Sequence, residues 1–371
     1  MRDVVVRRLP IADQGSPPLP ARVDPGFAAD LSGSPAAALP STLSDPRGRV
    51  YSYLRLSVTD RCDFACVYCM PPGGEDDHAL RPELLTFEEI ARVVAVFESV
   101  GVNRVRFTGG EPLVRRDIVG LVDLVRRRTG VERLVMTTNG NRLAELAKPL
   151  RAAGLSGCNV SIDTLDPERF RAITRGGDVS AVVAGVHAAL DAGLEVKINA
   201  VLLGGVNEED AGRLVDWAWS LGLTPRFIEL MPLGEAANLP PERFLSRERV
   251  LAALGDRLEV SDTARSVPGQ GPARYVHGRG ADRTRRVGFI TAVSDEFCAD
   301  CNRVRVNARG EIRACLASRR AVSLRDLLRA GRSDAELVDA IRYALGEKHR
   351  GHRFDVAGEE HTRVGMSLIG G

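Results

Sequence analysis

Three cysteines, Cys62, Cys66 and Cys69, stand in a C-x3-C-x2-C spacing within SVTDRCDFACVYCMP, residues 57–71. They follow an apolar run, Tyr53–Val58, that reads as a strand. A loop so spaced can wrap one face of a cubic iron-sulfur cluster and leave one iron without a protein ligand. A structural zinc site wants four closed ligands and an electron-transfer cluster normally wants four cysteines, so three point to a metal that must bind something else. Zinc with a remote fourth ligand is the competing reading, and for CxxC-type spacing in general it is the commoner outcome.

A second group, Cys298, Cys301 and Cys315, lies in CADCNRVRVNARGEIRACL. Again no fourth cysteine is near; His277 and Cys158 are the soft candidates, and a zinc ribbon short of one ligand is the alternative. Between the second and third of these cysteines stand Arg303 and Arg305, which strand alternation puts on one face. Two guanidiniums beside a metal favour a polyanion, because their forked donors match phosphate oxygens. A solvated basic edge is the bland alternative. One βα unit after the first trio comes RFTGGEP, Arg106–Pro112, where two glycines permit close backbone approach to a ligand and Glu111 offers a carboxylate.

These residues need elements to hold them. Apolar runs expected as strands are Tyr53–Val58, Arg104–Thr108, Arg133–Thr138, Gly157–Asp163, Val196–Leu203 and Pro225–Met231, and amphipathic helical stretches closing on glycine lie between them. Six βα units in series predict a parallel sheet, an α/β fold with an open, partial (βα)6 TIM-type barrel. In such a barrel the active site gathers at the C-terminal strand ends, which here carry the first trio, Thr108–Pro112, Thr137–Gly140, Ser161–Asp163, Asn199 and Glu229–Met231. Residues 246–267 read as a helix and a connecting strand, and GPARYVHG with RRVGFITAVS as hairpin strands of a C-terminal extension with antiparallel strands. The division expected is 1–44 a flexible Pro/Ala-rich tail, 45–267 the partial barrel and 268–371 an extension carrying the second cysteine group and substrate contacts.

Composition sets outer bounds. The chain has 371 residues, 44% of them apolar, enough for one large barrel or two domains. With 51 Lys and Arg against 49 Asp and Glu, a net charge of +2 gives no argument for a nucleic-acid or membrane surface, so any basic site must be local. Six of seven cysteines fall in two clusters, a pattern of metal ligation in a reducing compartment; with no signal-like or 18-residue apolar run, a cytoplasmic protein is expected. Cys158, alone in a strand, reads as a buried thiol.

The cysteine spacing with Tyr68 before the last cysteine, followed by GGE, resembles the radical S-adenosylmethionine (SAM) superfamily. The fuller set CxxxCVYCMP, TGGEP, MTTNG, NVSIDTLDP, RFIELMPLGE, GPARY and CxxCNRVRVNARGEIRACL resembles, from about Asp45 to Gly371, the GTP 3′,8-cyclase family of molybdenum cofactor biosynthesis. That resemblance implies two 4Fe-4S clusters, one on Cys62, Cys66 and Cys69 and one on Cys298, Cys301 and Cys315. It implies SAM among Tyr68, Gly110, Ser161 and Met231, and GTP on Arg55, Arg106, Thr137, Lys197, Arg303 and Arg305; the catalytic set would be Cys62, Cys66, Cys69, Arg303 and Arg305. The activity implied is that of a radical SAM lyase making (8S)-3′,8-cyclo-7,8-dihydroguanosine 5′-triphosphate. Implied partners are an electron donor such as flavodoxin or ferredoxin, and the next enzyme of the pterin pathway; a homodimer stays open, and no nucleic acid or membrane is expected. The terminal Gly370-Gly371 would thread toward the arginines, or is a frayed end. A radical SAM peptide- or protein-modifying enzyme with an auxiliary cluster, and a zinc-stabilised α/β binding protein, are the alternatives.

Overall fold

A computed structural model describes residues 42–74, 77–264, 271–280, 282, 284–318, 321–346, 348–352, 354 and 365–369. Strands β1 (Tyr53–Ser57), β2 (Arg104–Thr108), β3 (Arg133–Thr138), β4 (Gly157–Ser161), β5 (Glu195–Val201) and β6 (Thr224–Ile228) pair in sequence order, all parallel. Helices at Phe87–Ser99, Ile118–Arg128, Leu143–Ala152, Pro167–Thr174, Val179–Asp191 and Ala211–Ser220 fill the connections. The first shows how sequence makes an element here. Thr86 accepts from the Glu89 amide and the Glu89 carboxylate returns a bond to the Thr86 amide, while Ile90, Val93, Val94 and Phe97 form its buried face.

The strands end close to where the sequence puts them. β5 was expected to reach Leu203 but stops at Val201, because the Asn207 amide group intervenes: its oxygen accepts from Leu203 N and its nitrogen donates to Val201 O. A turn thus replaces the last ladder bonds.

The extension does more than add hairpins. β8 (Arg274–Gly278) pairs antiparallel with both β7 (Leu258–Ala264) and β9 (Arg286–Ile290), yet β9 pairs parallel with β6. β10 (Arg303–Val306) pairs parallel with β1, at the opposite edge, and is followed by antiparallel β11 (Glu311–Arg313) and β12 (Val322–Ser323). Consecutive strands β9 and β10 therefore flank the six-strand arc, and residues 291–302, with Cys298 and Cys301, must cross between its two edges.

Alternation along the strands is inverted relative to an ordinary sheet that packs its core inside. Leu54, Leu56, Val105, Phe107, Val304 and Val306 are fully buried in the hydrophobic core, whereas Arg55, Arg106 and Arg305 share the other face in direct register. Apolar burial outside and polar side chains inside make a lined cavity rather than a packed barrel centre.

Of the expected tail only residues 42–44 are described; Leu43 is buried there, its N–H on Val100 O. The 267/268 boundary and the terminal diglycine lie outside the described residues. Among the described residues no helix is long and apolar enough to cross a membrane.

Candidate active site

One cavity of about 400 Å³ occupies the barrel mouth, and it is lined by Cys62, Cys66 and Cys69 as well as Cys298, Cys301 and Cys315. All six are free and half-buried. Tyr68, Gly110, Ser161, Met231, Arg55, Arg106, Thr137, Lys197, Arg303 and Arg305 line it too, so these ten and the six cysteines share a single space.

The early cysteine loop is clamped by its neighbours. Gly110 N donates to Thr59 O (2.9 Å) and Glu111 N to Arg61 O (2.7 Å); Ala65 N and Val67 N donate to Thr174 O and Ile173 O. Arg175 ties the loop's Ala65 and Met70 carbonyls, and Phe64 sits edge-on against Phe170 at 5.8 Å. The glycine pair therefore has a more local reason than ligand approach. A Cβ on Gly109 would lie 2.4 Å from Thr59 O, and one on Gly110 2.4 Å from Arg61 O. The Gly110 amide is engaged as well, on Thr59 O. Glu111 is likewise occupied: it accepts from Leu113 N, Thr138 Oγ1 and Asn139 N, and burial pushes its carboxyl up to about 7.

Gly110→Ala should consequently disturb the cysteine loop, since the clash is with backbone that cannot rotate away. Overpacking of this kind costs about 1–3 kcal/mol. A lower thermal midpoint together with reduced iron uptake is expected; wild-type values for both would contradict the packing argument.

Tyr68 donates its hydroxyl to Asp163 (2.7 Å), whose other oxygen accepts from Val201 N, and burial raises the Asp163 carboxyl to about 6. Arg106 donates to Met136 O and Thr137 Oγ1 and contacts the Tyr53 hydroxyl through Nε. Thr137 is thus oriented by a guanidinium at its side.

The late trio hangs on the crossing segment. Glu229, at the end of β6, accepts from Val293 N and Ser294 N, both at 2.9 Å, and from the Ser294 hydroxyl. Arg49 Nη1 donates to Cys298 O at 3.2 Å, and Lys348 Nζ reaches Cys301 Sγ at 3.3 Å. The two trios differ in field. Burial pushes Cys62 up to about 12, whereas at Cys301 burial is overcome by Arg303 and Lys348, which hold the thiol down to about 6.

Charge is the cavity's dominant property. Arg49, Arg55, Arg104, Arg106, Arg226, Arg303, Arg305, Lys197 and Lys348 line it against two carboxylates, Glu111 and Glu229, both already holding backbone N–H groups. Burial and the neighbouring Arg305 and Arg106 press the Arg55 guanidinium well below its ordinary value; burial first, then Arg226 and Arg106, lowers Lys197 to about 8. Arg226 Nε and Nη2 and Asn199 Oδ1 are buried without a hydrogen-bond partner. Orphaned donors in a cationic wall are what a polyanion would satisfy.

Several of these residues escaped the sequence reading: Arg226, Arg104, Arg49, Tyr53, Asn159 and Lys348. Arg226 had a signal, a charge inside the apolar strand PRFIEL. Lys348 had none. His277 lies in β8 opposite Arg286 and Glu259, and Cys158 is buried in the core, so neither lines the cavity. Met366 lines it, and Ile369 packs with Leu233 and Leu316 just before the undescribed diglycine.

Residues 56–218 match the Radical SAM superfamily and residues 223–354 match Molybdenum Cofactor Synthesis C. With the parallel arc and its cysteine loop, these matches define the class: a radical SAM protein with a second, C-terminal module. The fold is shared with Streptococcus suis SuiB bound to S-adenosylmethionine, at TM-score 0.53 and 16% identity over 79% of this chain and 66% of that one. Much nearer in sequence are GTP 3′,8-cyclase of Rhodopseudomonas palustris strain TIE-1, 44% identical across 91% of this chain and 98% of its own length, and GTP 3′,8-cyclase 1 of Pseudomonas aeruginosa, 46% identical across 88% and 98%. The chain belongs to the GTP 3′,8-cyclase family.

Proposed function

We propose that this chain is the radical SAM GTP 3′,8-cyclase that performs the first step of molybdenum cofactor biosynthesis, with Cys62, Cys66 and Cys69 holding one 4Fe-4S cluster and Cys298, Cys301 and Cys315 the other. The observation that carries it is the convergence of both trios, and of the cationic wall, on one cavity. The donor set fits the clusters. Each trio offers three sulfurs, and neither of the fourth-ligand candidates, His277 and Cys158, lines the cavity, which suits a cluster with one open corner better than a closed zinc site.

Held by Cys62, Cys66 and Cys69, the early cluster with SAM would supply the one-electron chemistry by which carbon 3 of the ribose gives up a hydrogen atom and joins carbon 8 of guanine, with one electron from the reductant and one proton completing the dihydro product. The protein's own work is placement. Tyr68, Gly110, Ser161 and Met231 surround the SAM position, with Gly110 fixed there by its N–H bond to Thr59 O. Arg55, Arg106, Thr137 and Lys197, with Arg226 added from the geometry, hold the triphosphate, while Arg303 and Arg305 fix the nucleotide beside the late cluster. The barrel walls shield the site from water and other hydrogen donors. The electron donor is a flavodoxin or ferredoxin, and the product passes to the next enzyme of the pterin pathway. The division at residues 44 and 267 stands as part of this proposal.

Lys197 makes the binding pH-dependent. Its pKa is lowered to about 8 in the free protein, and the protonated form is the one that attracts phosphate. GTP affinity should therefore fall as pH rises through about 8, with proton uptake on binding in that range. Lys197→Met should bind more weakly throughout and lose this limb; a limb that persists in the variant assigns it elsewhere.

Metal content tests the reading as a whole. Brown protein with about eight iron atoms per chain after anaerobic reconstitution is expected. Colourless protein carrying zinc would end it.

A further inference from the structure

The late trio has an ammonium neighbour with no assigned part. Lys348 follows the helix Asp334–Gly346 and is 4% exposed. Its Nζ lies 3.3 Å from Cys301 Sγ, 2.9 Å from Arg303 O and 4.6 Å over the Tyr51 ring. No carboxylate among the described residues pairs with it. Burying an ammonium without a counter-anion is costly, so the site is arranged for negative charge close by. The sulfur is where that charge would be once the thiol is deprotonated by a metal.

The backbone around Lys348 is fixed unusually well for a position just past a helix end. Lys348 O accepts from Arg49 Nη2 at 3.0 Å and also from Arg47 Nη1. Arg49 Nη1 donates to both His349 O and Cys298 O. Arg49 is itself held by Asp45 Oδ2 at 2.6 Å, and the same carboxylate takes the Tyr51 hydroxyl at 2.8 Å. One network, built on residues 45–51, therefore fixes the lysine and the cysteine loop relative to each other.

We infer that Lys348 is the positioning residue of the late iron-sulfur centre, its ammonium donating to the Cys301 sulfur and thereby stabilising the centre's reduced state. This rests on the reading that Cys298, Cys301 and Cys315 hold a cluster. Hydrogen bonds and positive charge at a ligating sulfur offset the electron added on reduction, which moves the midpoint potential upward. Arg303 Nη2 is farther from the same sulfur, at 3.7 Å, and is committed to the cavity face.

The test compares wild type, Lys348→Met and Lys348→Arg, each reconstituted anaerobically as the full chain and titrated with reductant while the electron paramagnetic resonance of both centres is followed. The methionine variant is expected to move the late centre to a more negative midpoint, or to lose that centre, while the early centre's signal remains as internal reference. The arginine variant is expected to restore what methionine removed. A methionine variant with full iron and a wild-type midpoint would overturn the inference, as would an arginine variant that restores nothing, because packing rather than charge would then be at work. Wild-type protein with no second signal would instead remove the two-cluster reading beneath it.

Discussion

Cys69→Ala is expected to reduce SAM cleavage to the background seen with reductant alone. The substitution leaves the local turn in place, because the bond from Cys69 N to Cys66 O (2.9 Å) is backbone to backbone, and the clamps from Thr174, Ile173 and Arg175 act on other residues of the loop. What would disappear is one of the three thiolates that hold the early cluster in the proposed assignment, and the remaining two would not retain it. Iron per chain should fall from about eight to about four, since the late trio is untouched. Measuring 5′-deoxyadenosine and iron on the same sample separates the outcomes. Wild-type 5′-deoxyadenosine from protein that has lost half its iron would detach the early trio from the chemistry.

Arg305→Ala, and Arg303→Ala beside it, should leave SAM cleavage in place and suppress cyclisation of GTP. Charge-assisted hydrogen bonds are worth roughly 1.5–3 kcal/mol each, so a loss of about 10- to 150-fold in product formation is expected from either. The fold should tolerate the change. β10 is held by its ladder to β1 and by buried Val304 and Val306, and removing one guanidinium relieves repulsion on Arg55. A thermal midpoint within a few degrees of wild type would therefore accompany the loss. Undiminished product in both variants would withdraw the arginines from the substrate.

Much of this was legible in the sequence because the informative features are local. Cysteine spacing, GGE and alternation such as RVRV in β10 are each set by a few consecutive residues, and alternation fixes which side chains share a face. The six parallel strands were legible for the same reason. What was not legible depends on chain crossings. That β9 and β10 extend opposite edges of the arc follows from long-range pairing, and so does the route of residues 291–302 across the mouth. The glycine pair was read as open to ligand, but the amides of Gly110 and Glu111 turn out to hold the cysteine loop, a contact between segments about fifty residues apart. Lys348 lies nearly fifty residues beyond Cys301 with no pattern around it, and only the fold brings its ammonium to that sulfur.

The central claim is that two open-cornered clusters face one nucleotide across a shared cavity. Its most direct test is to incubate the anaerobically reconstituted protein with SAM, a strong reductant and GTP carrying deuterium at ribose carbon 3, and to weigh the products. The account predicts deuterium in 5′-deoxyadenosine, together with a nucleotide of the same elemental composition as GTP from which the label has gone. Recovery of all the labelled GTP unchanged alongside unlabelled 5′-deoxyadenosine would contradict it.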